Sequence, residues 1–251
     1  YYKYQINRKA WEKWAYQSNK QSYIRKVYRI FHQYHKLNSI QNLNFMLSII
    51  KRKRKFRKFK KQWNEKNLHN RTTPANIFPI ELVSIGNHSY GSINIFSWNT
   101  PGEKLIIGHI VSIGPGVKFV LGGNHNHNHF STYPFKVKFL KEKFEATSKG
   151  NIIIEDDVWI GMNTLILSGV SIGKGSIIGA GSIVTKDIEP FSIVAGNPAK
   201  MIGLRFTKHI RDKLLKLDYS IIDKDFVESN TDLLYADLNE NAINYIQQIF
   251  K

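Results

Sequence analysis

The 251-residue chain contains no cysteine. That excludes disulfides, a thiol nucleophile and thiolate metal sites, and it suits a reducing, cytoplasmic compartment. Long apolar runs are lacking too. The longest candidate, Leu43–Ile50, contains Asn44 and falls far short of the roughly 20 apolar residues that cross a bilayer. No secretory signal pattern is visible, and because the chain begins at Tyr1 rather than Met, a segment removed upstream stays open. Acidic residues are nearly missing from the first 71 positions, where only Glu12 and Glu65 stand against 20 Lys and Arg. The other 180 positions hold 17 basic and 17 acidic residues, so the whole formal charge of +18 belongs to the N-terminal segment. Such a split describes a basic arm on a neutral body, and it asks for an acidic partner.

The arm reads as helical. Ile24, Val27, Tyr28, Phe31 and Tyr34 follow helical spacing after Trp11 and Trp14. The run KRKRKFRKFKKQW follows, with Phe56, Phe59 and Trp63 on one face and Lys or Arg on the rest. A basic amphipathic helix suits an anionic membrane surface or an anionic glycan. The plainer alternative is a solvated helix that docks its aromatic stripe on the main domain. Nucleic acid is disfavoured, since only charge and no nucleic-acid-binding module is present. Asn70–Pro74 reads as a linker.

Residues 151–188 carry a different signal. Ile154, Ile160, Ile166, Ile172, Ile178 and Val184 fall every six residues, and a second column runs Ile152, Val158, Thr164, Val170, Ser176, Ser182. Neither the helical period nor simple alternation produces six, whereas a parallel β-helix of hexapeptide repeats does. Each hexad gives a short strand and a corner where Gly or Asn takes positive φ, and three hexads close one triangular coil. Ile107, Ile113 and Phe119 keep the same phase upstream, with an insertion near Ser97–Lys104. The expected layout is a basic helical region at 1–72, a β-helix at 73–206 with an excursion at 125–150, and a helical tail at 207–251. Pro190 and Gly196–Lys200 should close the prism. The tail helices, marked by Ile210, Leu214, Leu217, Ile243, Ile246 and Phe250, should cap its open end or pack on a neighbouring subunit.

The excursion opens with LGGNHNHNHFSTYPF, the densest polar cluster in the chain. A neutral imidazole at His125 could take a proton near pH 7, although a lone loop histidine is more often simply exposed. His125, His127 and His129 alternate as zinc ligands on one strand face could.

GGNH, then STYPF, IEDDVWIG, GAGSIVTKDI and AGNPAK, in that order over about residues 77–206, resemble the hexapeptide-repeat acyltransferases of the xenobiotic acetyltransferase group. That group holds chloramphenicol and streptogramin acetyltransferases together with bacterial O-acetyltransferases of surface polysaccharide. The resemblance implies a mainly β fold, a left-handed parallel β-helix assembled as a homotrimer, with acetyl-CoA bound between subunits and no metal. It makes His125 the catalytic base. It assigns Trp159, Gly161, Gly179, Ala180, Asn197, Pro198, Lys200 and Arg205 to the coenzyme, Lys200 and Arg205 facing its phosphates. Asn124, Tyr133 and Phe135 fall to the acceptor. Where many relatives carry an acid and an aromatic after GNH, this chain has Asn128 and His129. The implied activity is O-acetylation, and the basic arm favours an acidic capsular, lipopolysaccharide-type or lipid-linked glycan over a neutral antibiotic. Antibiotic acetylation is the alternative within the enzyme class. Outside it stands a scaffold that docks on a membrane or assembly. The arm would hold the chain in the cytoplasm, at the inner face of a membrane.

Overall fold

The computed structural model describes residues 21–250. Trp11 and Trp14 lie outside the described residues, as do the side chains of Ile24, Val27, Tyr28, Phe31 and Tyr34. The chain forms two compact units, residues 1–57 and 58–251. Helix α1 runs over Gln21–Lys66 with no acid in its first turn and Lys66 in its last. Among the described residues no helix is long and apolar enough to cross a membrane.

The hexad arithmetic becomes geometry in the second unit. Ile154 lies beside Ile172, Ile160 beside Ile178 and Ile166 beside Val184, each pair one 18-residue coil apart in a parallel ladder. The ladders make three faces. The first stacks β2 (Val83–Ile85), β4 (Leu105–Ile107), β7 (Ile152–Ile154) and β10 (Ser171–Ile172). The second stacks the start of β3 (Tyr90–Phe96), β5 (Ser112–Ile113), β8 (Trp159–Ile160), β11 (Ile177–Ile178) and β13 (Ser192–Ala195). The third stacks the end of β3, β6 (Lys118–Val120), β9 (Leu165–Leu167) and β12 (Ile183–Val184). The antiparallel strand β14 (Lys200–Leu204) folds back on β13 and ends the coiling after Gly196–Ala199.

Both hexad columns are buried along the axis. The second column narrows from Ile152 and Val158 to Ser176 and Ser182, and its hydroxyls find partners at the corners. Thr164 donates to Gly161 O at 2.8 Å, Ser176 to Glu189 O at 2.9 Å and Ser182 to Gly179 O at 2.6 Å. A buried hydroxyl without such a partner would cost more than the packing gains. The corners at Asn163, Gly169, Gly175 and Gly181 take positive φ as the repeat requires.

Asn70–Pro74 is not a linker. Arg71–Pro74 is a strand, β1, paired in parallel with β3. Thr72 is buried and its carbonyl accepts the Trp63 Nε1–H at 3.2 Å. Phe59 and Trp63 set their rings edge-on against Phe78 at 5.1 and 5.3 Å. The docking alternative for the aromatic stripe therefore holds for its C-terminal end, because these rings close the first coil against water.

The tail forms helices α3 (Lys208–Leu214), α4 (Lys224–Leu234) and α5 (Glu240–Ile249). They pack along the corner between the first and second faces. The corner residues in successive coils are His88, Ile110, Asp157, Gly175 and Phe191, and all but Gly175 are non-glycine residues at positive φ. A left-handed corner throws its side chain outward. Phe191 and Ile110 thus join Ile210, Leu214, Leu217, Tyr219 and Ile243 in one apolar cluster. Asn87 in the first coil reaches Ser220 O, and Lys174 in the fourth donates to Leu217 O at 2.9 Å, so the tail spans the height of the prism.

Candidate active site

The excursion between β6 and β7 is tied at its base. Asn124 and Thr147 exchange backbone hydrogen bonds of 3.0 and 2.9 Å, and Ser148 Oγ donates to Leu121 O at 2.6 Å. The Asn124 amide donates to Thr147 O at 3.2 Å and to Ser168 Oγ at 3.0 Å. Asn124, read from sequence as an acceptor contact, thus has its Nδ2 turned to the chain itself. It pins the residue that follows.

That residue is His125, exposed, with Nδ1 2.6 Å from Thr132 O. A carbonyl only accepts, so Nδ1 donates, and in the neutral ring the lone pair is then on Nε2. One peptide oxygen therefore selects the tautomer and restrains the ring. Tyr133, one residue on, stacks obliquely on Phe135 at 5.1 Å and lies 6.2 Å from Phe139 in the short helix α2 (Phe135–Phe139). Lys138, Lys141 and Lys143, near Phe139 in sequence, are exposed. His129 accepts from the Asn126 amide at 3.0 Å. Among the described residues no three His, Asp or Glu side chains come together as a metal-holding group.

A brace behind the turn was not legible in the sequence. Glu103, buried in the 97–104 insertion, accepts from Ser97 Oγ at 2.6 Å and from Trp98 N at 3.1 Å. Its carboxylate presses on Gly122, while the Trp98 ring lies over Gly123, which has φ +84°. Only glycine suits position 123, on both counts. The insertion thus shapes the turn that delivers Asn124 and His125. Its single sequence signal was an acid held at the end of an interruption in the repeat.

The residues that the resemblance assigns to the coenzyme lie elsewhere. Trp159 points outward from the second face, 56% exposed, in register with Ser112 and Ile177. Asn197 and Pro198, joined by a cis peptide bond, form the exposed β13–β14 turn, and Lys200 follows, also exposed. Gly161 has an internal reason to lack a side chain: a Cβ there would stand 2.6 Å from Ala180 N of the next coil. Gly179 is likewise closed off by Ala195. Arg205 is committed within the chain. Its guanidinium pairs with Asp157 at 2.8 Å, donates to Gly175 O at 2.6 Å and lies over the Phe206 ring. The sequence reading turned Arg205 toward phosphate; those partners make it a clamp between prism and tail.

The acids of IEDDVWIG act in the same way. Glu155 accepts from Lys174 N at 2.7 Å, Asp156 from His109 N at 2.8 Å and from Lys174 Nζ at 3.3 Å, and Asp157 holds Arg205. Three consecutive carboxylates therefore tie coils two to four to the tail.

Within one chain the two groups of site residues are not brought together. The loop leaves at the corner between the third and first faces, opposite the second face that carries Trp159 and the β13–β14 turn.

Triangular coils of six-residue repeats with one long tethered loop place the fold in the hexapeptide-repeat class. Residues 151–186 match the model of the bacterial transferase hexapeptide (six repeats). The chain is 34% identical over 187 residues to the virginiamycin A acetyltransferase of Staphylococcus aureus, covering 62% of this chain and 85% of that protein. It is 41% identical over 124 residues to a chloramphenicol acetyltransferase of Klebsiella aerogenes, covering 47% of this chain and 59% of that one. A hexapeptide-repeat acetyltransferase of Vibrio cholerae, solved with acetyl coenzyme A, is 32% identical, with a TM-score of 0.42 over 51% of this chain and 62% of that one. The chain belongs to the hexapeptide-repeat acetyltransferases, and its prism is their left-handed parallel β-helix. It spans little more than half the length of the chloramphenicol acetyltransferase it matches.

Proposed function

We propose that the protein is an acetyl-CoA-dependent O-acetyltransferase with His125 as general base. The observation that carries this reading is the 2.6 Å bond from His125 Nδ1 to Thr132 O, which in the neutral ring puts the lone pair on Nε2. Nε2 takes the proton of an acceptor hydroxyl as its oxygen attacks the thioester carbonyl. The imidazolium then returns that proton to the departing coenzyme thiolate. Backbone N–H groups of a neighbouring coil are suited to the oxyanion. Tyr133 and Phe135 wall the acceptor side, and Asn124 holds the base in place.

The assembly follows from where the residues lie. Since His125 and the second face are on opposite sides of one prism, a complete site needs a second copy, and a homotrimer with three equivalent clefts is the closed arrangement. In it Trp159, the backbone beside Gly161, Gly179 and Ala180, the Asn197–Pro198 turn and Lys200 of one copy hold the coenzyme against His125 of another. The exposed Trp159 and Lys200 fit that task, one as a platform and the other as a phosphate partner.

The acceptor we favour is an acidic glycan. Lysines at 138, 141 and 143, near the Tyr133–Phe135–Phe139 cluster in sequence, offer carboxylate partners, and the cluster offers flat apolar faces suited to sugar rings. The names of the relatives favour a second reading, a drug alcohol such as chloramphenicol or virginiamycin A. Coenzyme thiol release from acetyl-CoA, measured with an acidic polysaccharide, a neutral polysaccharide and both drugs, separates them. Turnover highest with the acidic polymer supports our reading. Efficient turnover of a drug alone replaces it with the second. No release with any acceptor leaves the scaffold.

A further inference from the structure

The first compact unit ends in a surface that acetyl transfer does not use. Within α1, Phe45 is 66% exposed, Met46 61%, Leu47 44% and Ile50 42%. At 100° per residue Phe45, Met46, Ile49 and Ile50 share one side of the helix. Immediately after them Lys51, Arg52, Lys53, Arg54, Lys55 and Arg57 are all exposed. The side that bears the apolar turn continues as Arg52, Lys53 and Arg57. No acid occurs between Glu12 and Glu65, so the helix carries no counter-charge of its own along this stretch.

We infer that residues 45–57 dock on an anionic lipid bilayer, with the Phe45–Ile50 turn in the headgroup–acyl boundary and the basic turns on the phosphates. The charge alone would suit any polyanion. The apolar turn decides between them, because a glycan or a nucleic acid leaves Phe45, Met46 and Ile50 in water, whereas a bilayer interface takes up both halves of the surface. A second copy of the helix is disfavoured as occupant. Six cations in seven residues would face six more, and like charges at close range oppose association. The aliphatic stems of Arg52, Lys53 and Arg57 can lie along the apolar boundary while their charges stay at the phosphates. At 1.5 Å per residue the segment is about 20 Å long, enough to touch several headgroups at once.

The test uses the full chain in vesicle flotation. Vesicles of phosphatidylcholine alone are compared with phosphatidylcholine–phosphatidylglycerol mixtures, at low and high salt. Binding should be at least roughly tenfold tighter to the anionic vesicles and should weaken with salt. Two variants divide the surface: Met46→Ser with Ile50→Ser removes the apolar turn, and Lys53→Glu with Arg57→Glu reverses part of the charge. Both should lose most vesicle binding while keeping the wild-type thermal melt, which reads the fold of the prism. A heparin column is the competing arm. Unchanged vesicle binding in the serine variant, or retention on heparin with no flotation on anionic vesicles, would overturn the lipid assignment in favour of a soluble polyanion. Loss of oligomers in the serine variant, with no vesicle binding by the wild type, would overturn it in favour of a second copy.

Discussion

At the residue scale the proposed base and its support differ in how far the sequence reveals them. His125 was legible because it follows a Gly-Gly-Asn turn where the repeat loses phase. Its partner Thr132 was not, since a backbone carbonyl leaves no trace in side-chain pattern. Glu103 was hidden for a related reason: its partners Ser97 and Trp98 are close in sequence, but its effect falls on Gly122, in the next coil. Glu103→Ala removes the acceptor of the Ser97 hydroxyl and the Trp98 N–H, at a cost of about 1 kcal/mol. It also removes the support behind the turn. We expect a lower melting temperature together with a lower kcat, while the KM for acetyl-CoA stays close to wild type. Gly161 is a different case: the resemblance placed it beside the coenzyme, and the fold gives it an internal reason to lack a side chain. Gly161→Ala drives a Cβ into the backbone of Ala180 and should destabilise by about 1–3 kcal/mol in thermal unfolding.

At the scale of elements, the strands were readable and the attachments were not. A strict hexad period fixes the inward column, so β7 to β12 fall where Ile154 through Val184 predict them. β1 escaped because Arg-Thr-Thr-Pro is too short and polar to show a period, although Thr72 is buried against Trp63. This has an experimental consequence. A deletion ending at Arg57 keeps Phe59, Trp63 and β1, and should melt as the full chain does. A deletion ending at Arg71 strips the rings from Phe78 and should be destabilised by about 3–5 kcal/mol or more, seen as a lowered melting temperature or insolubility. The tail was predicted as helix correctly, but its position depended on two corner residues. Ile110 and Phe191 stand where the repeat uses Asn, Asp or Gly, and an apolar residue at an outward-facing corner is the signal that something covers it. Arg205 belongs to the same joint. Arg205→Ala should lower stability by about 1 kcal/mol, given a half-exposed pair. It should change the KM for acetyl-CoA less than Lys200→Ala does.

At the scale of the whole molecule, one titration joins prism and tail. Burial, and then the neighbouring Asp157 carboxylate, push the Tyr219 phenol well above its ordinary value near 10. A phenol whose folded value is raised holds its proton longer in the native state than in the unfolded chain. Its contribution is therefore complete below about pH 10 and is lost as pH rises from there toward the folded value. Stability should fall steeply above about pH 10 in urea melts, and Tyr219→Phe should flatten that fall. The division of labour across the molecule explains why composition was informative at this scale. The excess charge of +18 is confined to the N-terminal segment, whereas the balanced body is tied together by Glu155, Asp156 and Asp157. His125 and Trp159 lie on opposite sides of one prism, which is why the proposed cleft calls for a second copy.

The central claim is that the Nε2 lone pair of His125 removes the acceptor proton. It is tested most directly by the turnover of His125→Ala with acetyl-CoA and whichever hydroxyl acceptor the wild type uses. The account predicts a fall in kcat of about 10²- to 10⁴-fold, with the melting temperature and the KM for acetyl-CoA unchanged. Turnover within a few-fold of wild type would contradict it.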